Sequence, residues 1–152
     1  MNTNLIGIAG VHHVVSELSR RGVVALPTVK NTAAYDIVAI NEEGTWHANI
    51  QVKTSYKRVT AFHMPKPEKI RTGKHDYYIL LRWLEKEQRY EGFLLKGREA
   101  KEEVTRVWEE QKKRVRAGTL KGISHHIRIS GPQERKAVRW STAWSKWRLP
   151  SQ

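Results

Sequence analysis

The stretch YDIVAINEEGTWHANIQVKTS, from Tyr35 to Ser55, constrains the fold more than any other part of the chain. Two apolar-rich runs flank a Glu-Gly turn, and this pattern predicts a β-hairpin. With that turn centre the paired residues have numbers that sum to 87, so Asp36 is expected directly opposite Gln51. Strand alternation places Gln51 and Lys53 on one face, with Lys53 diagonal to Asp36. The hairpin therefore predicts a cluster of a carboxylate, an amide and an ammonium group.

These three groups are suited to metal-assisted hydrolysis of a phosphodiester bond. Asp36 can hold a hard cation such as Mg²⁺, which prefers oxygen ligands and binds through one or two carboxylates plus substrate phosphate. Lys53 can orient the attacking water or offset charge on the transferring phosphate. Gln51 offers only a neutral oxygen, which is a weaker ligand than a glutamate. The alternative is an ordinary half-solvated hairpin whose polar side chains simply face water.

The rest of the chain predicts an α/β or α+β domain, with a mixed sheet and helices on its faces. Periodicity, turn residues and β-rich runs define the expected elements. In chain order we expect a helix over Leu5–Gly22, a strand over Val23–Leu26, the hairpin, a surface loop over Arg58–Lys74, strands over Asp76–Leu84 and Arg89–Leu95, and a helix after Gly97. Residues 1–152 are expected to form a single domain, with a core over about 5–117 and a basic extension over 118–152.

The charge of the chain indicates its partner. There are 28 Lys and Arg against 15 Asp and Glu, a net charge of +13, and residues 111–152 alone hold eleven Lys and Arg and one Glu. A polyanion is the expected partner, because neutralising its phosphates releases condensed counterions. A basic surface without a specific partner is the alternative. The residues expected to contact DNA are Lys57, Arg58, Lys66, Lys69, Arg71, Lys74, Arg128, Arg135, Lys136 and Arg139.

Cysteine and hydrophobicity exclude other classes of protein. The chain has no cysteine, which rules out disulfides and thiolate metal sites and fits a reducing cytosol. No apolar run approaches the roughly 18 residues of a membrane span. Trp140, Trp144 and Trp147 fall on one helical face and are expected to pack in the core or at a subunit interface. We therefore expect a cytoplasmic protein without a membrane partner.

The segments YDIVA and IQVKTS together resemble the motif of the PD-(D/E)XK nuclease superfamily, which is an Asp, a spacer across a hairpin turn, and (Asp/Glu)-X-Lys. The matching positions are Asp36 and Gln51-Val52-Lys53. The segment Gly10–Leu26 is similar to the first helix and strand of that superfamily, so the resemblance spans about residues 7 to 95. It implies a restriction-endonuclease-like fold, a mixed four-stranded sheet flanked by helices, and a Mg²⁺-dependent DNA nuclease, with Mn²⁺ as a substitute. The resemblance also implies that the Val52 backbone carbonyl binds the ion.

Two positions depart from the pattern of the superfamily. Gln51 replaces the usual acid, and Val11 stands where the first helix carries a catalytic glutamate that points at the metal site. Glu17 lies six residues on, roughly 240° round the helix, and is poorly placed to substitute. The predicted site therefore has a single anionic side chain, Asp36. We expect this copy of the enzyme to be attenuated or inactive.

The long basic extension favours one kind of nuclease. It predicts an intron-encoded homing endonuclease that cuts a long duplex target at a specific sequence. A Holliday junction resolvase, or another structure-specific or restriction nuclease, is the first alternative. The second is a non-catalytic DNA- or RNA-binding module on a decayed nuclease core. One active site per chain cuts one strand at a time, so cleavage of both strands predicts a homo-oligomer, either a dimer or a tetramer.

Overall fold

A computed structural model describes residues 2–29, 35–56 and 61–129 of the chain. Within these ranges the predicted helices and strands occur in the predicted order, and a further strand, Ala61–His63, lies in the segment for which a loop is predicted. None of the helices in these ranges has the length and hydrophobicity that a membrane crossing requires. In chain order the elements are α1 (Thr3–Ser19), β1 (Val24–Pro27), β2 (Ile37–Ile40), β3 (His47–Ser55), β4 (Ala61–His63), a 3₁₀ turn (Pro67–Lys69), β5 (Asp76–Leu84), β6 (Arg89–Lys96), α2 (Gly97–Arg116) and β7 (His126–Arg128).

The centre of the fold is a five-stranded sheet with the strand order β1-β2-β3-β5-β6. Strands β3 and β5 run parallel, and the other three neighbouring pairs are antiparallel. This is the mixed α/β sheet that the sequence predicts, although the resemblance implies four strands and this sheet has five. Strands β4 and β7 form a separate antiparallel pair, so the segment after α2 contributes a strand to the packed structure.

The hairpin of β2 and β3 has the register that its sequence predicts. Ile37 pairs with Ile50 and Ile40 pairs with His47, so the residue numbers sum to 87. Residues 41–46 connect the two strands, the Asn41 N–H donates to the Trp46 carbonyl at 3.3 Å, and Gly44 adopts a φ of +69° that suits glycine in a tight turn. Ile50 is buried, whereas Gln51 is only partly buried. The alternation that sorts polar from apolar side chains along β3 is therefore confirmed.

Helix α1 covers one face of the sheet. Val14 and Leu18 of α1 are completely buried in a cluster with side chains of β2 and β3. A Cβ added at Gly10 would lie 1.8 Å from the Thr54 hydroxyl oxygen, so glycine is required for this close approach of α1 to β3. Val11 packs at the border of the same cluster. The first half of α1 therefore lies beside the residues that precede β2.

Helix α2 and the β4–β7 pair cover the opposite face. Their buried residues form a second cluster with β5 and β6, in which Phe93 and Val104 are central. The prediction of a surface loop over Arg58–Lys74 is wrong for part of that segment. Phe62 and Ile70 are buried in this cluster, because β4 and the 3₁₀ turn pack against the sheet. The apolar residues scattered among the basic ones were the signal for that packing.

Candidate active site

Asp36 lies at the bend where β2 begins, beside the edge of β3. One of its carboxylate oxygens, Oδ2, accepts two hydrogen bonds. The Gln51 side-chain amide donates the first at 2.5 Å, and the Val52 backbone N–H donates the second at 2.7 Å. The carboxylate therefore takes the hydrogen bond from Val52 that a backbone carbonyl would accept if β2 extended further. The structure brings Asp36, Gln51 and Val52 together, and their chemical roles stay a prediction.

The donors at this edge can be compared with the needs of a metal ion. The N–H and C=O of one strand residue face the same neighbouring strand, so the Val52 carbonyl faces the Asp36 side as well. Carboxylate, amide and carbonyl oxygens are the hard ligands that suit Mg²⁺. Gln51 presents its NH₂ group to Asp36, so its oxygen reaches a shared ion only after the amide turns over. Among the described residues no three Asp, Glu, His or Cys side chains gather as ligands. These donors are of the kind that would hold a hard cation, with a single negative charge among the described residues at this edge.

A cavity of about 480 Å³ lies on the α1 side of Asp36. We call it the α1 cavity; it is bounded by Ile8, Val11, Thr28, Tyr35, Asp36 and Val52, among others. Ile8 is 47% exposed because it lies over this opening. Val11 and Asp36 line the same space, so a glutamate in place of Val11 would put a second carboxylate beside the first. In this chain α1 contributes no acid to the cavity; its lining residues are Thr3, Asn4, Gly7, Ile8, Val11 and His12.

A second cavity, of about 540 Å³, lies on the opposite face of β3. We call it the cationic cavity, and its polar lining residues are Gln51, Lys53, His63, Lys69, Arg71 and Tyr78. Lys53 and Gln51 open into it because they alternate with the buried Ile50 and Val52. No Asp or Glu is among the described residues that line it. Asp36 and Lys53 thus border different cavities, and the hydrogen bond from Gln51 to Asp36 connects the two.

The buried Asp76 lies next to this site, and sequence reasoning missed it. It is 8% exposed at the start of β5. Its carboxylate accepts hydrogen bonds from the Tyr35 hydroxyl at 3.0 Å, the Asn49 amide at 3.1 Å and the Gly73 N–H at 2.8 Å. Burial raises the pKa of Asp76, but these hydrogen bonds and the nearby Arg71 charge outweigh it and hold that pKa below its ordinary value. An acid that begins the apolar run DYYILL was the available signal.

The predicted DNA contacts divide into three groups. Lys69 and Arg71 are exposed and line the cationic cavity, while Lys66 and Lys74 are exposed on the same connection between β4 and β5. Arg128 is exposed on β7 and donates from Nε to the buried His126 at 3.0 Å. The third group lies outside the described residues and consists of Lys57, Arg58, Arg135, Lys136 and Arg139, together with Trp140, Trp144 and Trp147.

A buried histidine holds Arg128 in place. Burial lowers the pKa of His126, and the Arg128 charge lowers that pKa further. The ring is therefore a neutral acceptor for the Arg128 guanidinium, with the Ser124 hydroxyl 2.9 Å from its other nitrogen. Gln111 of α2 fixes Ser124 through two hydrogen bonds of 2.9 Å to its backbone. Arg128 is thus positioned on the surface by a buried network rather than by a carboxylate.

Comparison with known proteins identifies the fold. A solved structure described as that of a bacterial homing endonuclease, I-Ssp6803I, superposes with a TM-score of 0.53 over 96% of this chain and 92% of that chain, with 16% sequence identity. At this identity the likeness shows a shared fold. No protein-family model matches the chain, and no curated protein has significant sequence similarity to it. The resemblance of its motif to the PD-(D/E)XK superfamily therefore stays a prediction.

Proposed function

We propose that this chain is a Mg²⁺-dependent DNA endonuclease of the homing type, attenuated by Val11. The observation that carries the proposal is the cluster of Asp36, Gln51 and Val52 at the start of β2, directly beside a cavity lined by basic side chains. The fold supports it, since the structural neighbour I-Ssp6803I is described as a homing endonuclease. The net charge of +13 supports a long DNA target.

Each residue has a distinct task in the proposed reaction. Asp36, the Val52 carbonyl and the Gln51 oxygen would hold the cation. When bound, Mg²⁺ supplies polarisation of the scissile phosphate and a water of lowered pKa. Lys53 would approach the transferring phosphate from the cationic cavity, across the edge where Gln51 meets Asp36, and stabilise its developing charge. Lys69 and Arg71, which line the same cavity as Lys53, would hold the DNA backbone beside the cut. Cleavage of both strands requires at least two copies of the chain.

Val11 accounts for the attenuation. Mg²⁺ sheds its water reluctantly and needs anionic ligands to stay bound. Val11 supplies no acid, so Asp36 is the single carboxylate among the described residues that line the α1 cavity. A weakly held ion lowers the fraction of protein that is competent for cleavage. We therefore expect slow hydrolysis by the natural sequence together with normal DNA binding.

One observation favours a second candidate function, a DNA-binding module without catalysis. Gln51 and the Val52 N–H already satisfy the Oδ2 atom of Asp36, so the carboxylate has a structural role that needs no metal. A module of this kind would bind DNA equally well in Ca²⁺ and in EDTA. Binding that strengthens with a divalent cation distinguishes the enzyme from the module.

The decisive experiment restores the missing carboxylate. The Val11→Glu protein is incubated in Mg²⁺ with a randomised duplex library that also contains four-way junctions, and the new DNA ends are sequenced. We expect cleavage at least about tenfold faster than that of the natural sequence, a change of about 1.4 kcal/mol in the barrier. Cuts concentrated in one long duplex sequence support the homing function. Cuts confined to junctions keep the chemistry and make the substrate that of a resolvase.

Two control variants separate charge from shape. Val11→Gln has nearly the shape of Val11→Glu without its charge and is expected to leave cleavage unchanged. Lys53→Ala in the Val11→Glu protein is expected to abolish the cuts, because Lys53 would stabilise the charge on the phosphate. Binding of DNA without any cleavage by Val11→Glu would refute the nuclease function and establish the binding module.

A further inference from the structure

The carboxylate of Asp76 joins three segments of the chain, and two of them, β3 and the segment after the 3₁₀ turn, contribute lining residues to the cationic cavity. Tyr35 immediately precedes Asp36, Asn49 lies two residues before Gln51 on β3, and Gly73 follows the 3₁₀ turn. All three donate hydrogen bonds to this one buried side chain. A Cβ added at Gly73 would lie 2.8 Å from the Asp76 Oδ2 atom, so the backbone of the turn passes very close to the carboxylate. Asp76 thus fixes where this turn sits relative to β3.

Arg71 is the charged residue that this arrangement holds in place. Its guanidinium donates to the Tyr35 hydroxyl at 3.3 Å and lies 5.0 Å from the centre of the Tyr35 ring. The Tyr35 hydroxyl in turn donates to Asp76. The Arg71 backbone N–H also donates to the Tyr78 hydroxyl at 3.4 Å. Among the described residues Arg71 makes no salt bridge, so its charge is not neutralised by a direct carboxylate partner.

This chain of hydrogen bonds has a direction that suits anion binding. The Asp76 carboxylate polarises the Tyr35 hydroxyl, and the hydroxyl oxygen then becomes a better acceptor for Arg71. Only one guanidinium nitrogen of Arg71 takes part in that contact, and the planar group carries five N–H donors in a fixed fork. The remaining donors stay available at the exposed rim of the cationic cavity, where Lys53 and Lys69 also lie.

We propose that Asp76 is a positioning residue for DNA binding, which acts through Tyr35 to hold the Arg71 guanidinium where it receives a backbone phosphate. The proposal rests on the DNA-binding part of the function proposed above and does not depend on cleavage. It assigns a role to a buried acid that neither binds metal nor touches DNA. Substitution of Asp76 is then expected to weaken DNA binding through the same phosphate contact that substitution of Arg71 removes.

The test is a double-mutant cycle on DNA affinity, measured by fluorescence anisotropy with a duplex in EDTA over a range of salt concentrations. Arg71→Ala is expected to reduce the slope of log Kobs against log salt by about 0.9, the value for one phosphate contact on duplex DNA. Asp76→Asn is expected to reduce the slope in the same direction. The double variant is expected to bind no more weakly than Arg71→Ala alone, because both changes remove one contact.

Two further variants protect the test from general loss of structure. Tyr35→Phe keeps the ring beneath the guanidinium and removes only the hydroxyl, so it tests the same chain of hydrogen bonds if Asp76→Asn folds poorly. Glu103→Gln replaces another buried acid, which pairs with Arg106 at 2.9 Å on α2. It is expected to lower stability and leave the salt slope unchanged.

The outcomes are distinct. Additive effects of Asp76→Asn and Arg71→Ala, or an unchanged slope in both Asp76→Asn and Tyr35→Phe, would overturn the positioning role while the DNA-binding function stands. If the natural sequence does not bind duplex DNA at all, the proposed function fails and the positioning role fails with it. The proposal is supported if Asp76→Asn reduces the slope and the double variant shows no further reduction beyond that of Arg71→Ala.

Discussion

The two cavities on either side of β3 differ in the charge of their walls. Among its described lining residues the α1 cavity has one acid, Asp36, and no Lys or Arg, and Val11 and Ile8 lie on the α1 side of it. The cationic cavity contains Lys53, Lys69 and Arg71 with no acid among its described lining residues. Phosphate binding needs the second kind of wall, whereas a firmly held divalent cation needs more acid than the first provides. Binding and cleavage of DNA are therefore expected to be separable in this chain.

The two cavities also differ in how their charged groups are supported. Asp36 is held by two hydrogen bonds from β3 and lies at the end of a strand. Arg71 is held through Tyr35 by the buried Asp76, which accepts hydrogen bonds from three segments of the chain. The cationic side is thus built into the packing of the sheet, while the acidic side depends on a few contacts at its edge. A single substitution at position 11 is therefore expected to change the acidic side alone.

The largest expected effect comes from removing the acid that the α1 cavity retains. Asp36→Asn in the Val11→Glu protein keeps an oxygen that can accept from Val52 but loses the charge. We expect cleavage to fall about 100-fold or more, as is typical when one charged group that stabilises a transition state is lost. DNA affinity in EDTA is expected to change less than about threefold, because the partly buried Asp36 is an acid and makes no phosphate contact in the absence of a cation. Single-turnover cleavage and anisotropy on the same duplex measure both.

Asp36→Asn also has an outcome that would break the comparison between the cavities. If cleavage survives this change, the cation does not sit at Asp36 and the α1 cavity is not the catalytic side. If DNA affinity in EDTA falls as strongly as cleavage, the acid supports the binding surface as well, and the two sides are not separable.

A smaller effect is expected on the cationic side. Lys69→Ala should reduce the salt slope of DNA binding by about 0.9 and weaken binding about five- to tenfold near 0.1 M salt, because one phosphate contact is lost. The matched control is Arg89→Ala, at the far end of β5 and β6 and about 26 Å along the strand from Asp76. It should leave the slope unchanged. Equal slopes for both variants would mean that the whole basic surface, and not this cavity, binds DNA.

Much of the fold follows from sequence pattern because strong local signals agree with the long-range structure. The Glu-Gly turn fixes the register of β2 with β3. The mostly apolar run Asp76–Leu84 has side chains that need burial on both faces, as in a central strand of a sheet. The segment that contains β4 was misjudged because its prolines and basic residues suggest a loop, although Phe62 and Ile70 are buried. Three-residue strands carry too little periodicity to be recognised.

The site was predictable only where one element contained it. Asp36 and Gln51 lie on a single hairpin, so their contact follows from the register. The network of Asp76 joins residues 35, 49 and 73, whose contact depends on the parallel pairing of β3 with β5. No spacing in the sequence encodes that pairing. The assignment of Asp36 and Lys53 to different cavities likewise depends on what covers each face of the sheet.

The smallest expected effect concerns the acid that supports the cationic side, and it is measured through stability. The pKa of Asp76 is lower in the folded protein than its ordinary value, so its ionised form stabilises the fold above about pH 4, the value for an unfolded Asp. This contribution is lost as the pH falls through the folded pKa. Asp76→Asn should be less stable at pH 7, yet lose less stability than the natural sequence between pH 5 and pH 3. Urea unfolding at each pH gives both differences. Parallel curves for the two proteins would show that the Asp76 carboxylate contributes no charge-dependent stability, and the cationic cavity would then have no electrostatic anchor beneath Arg71.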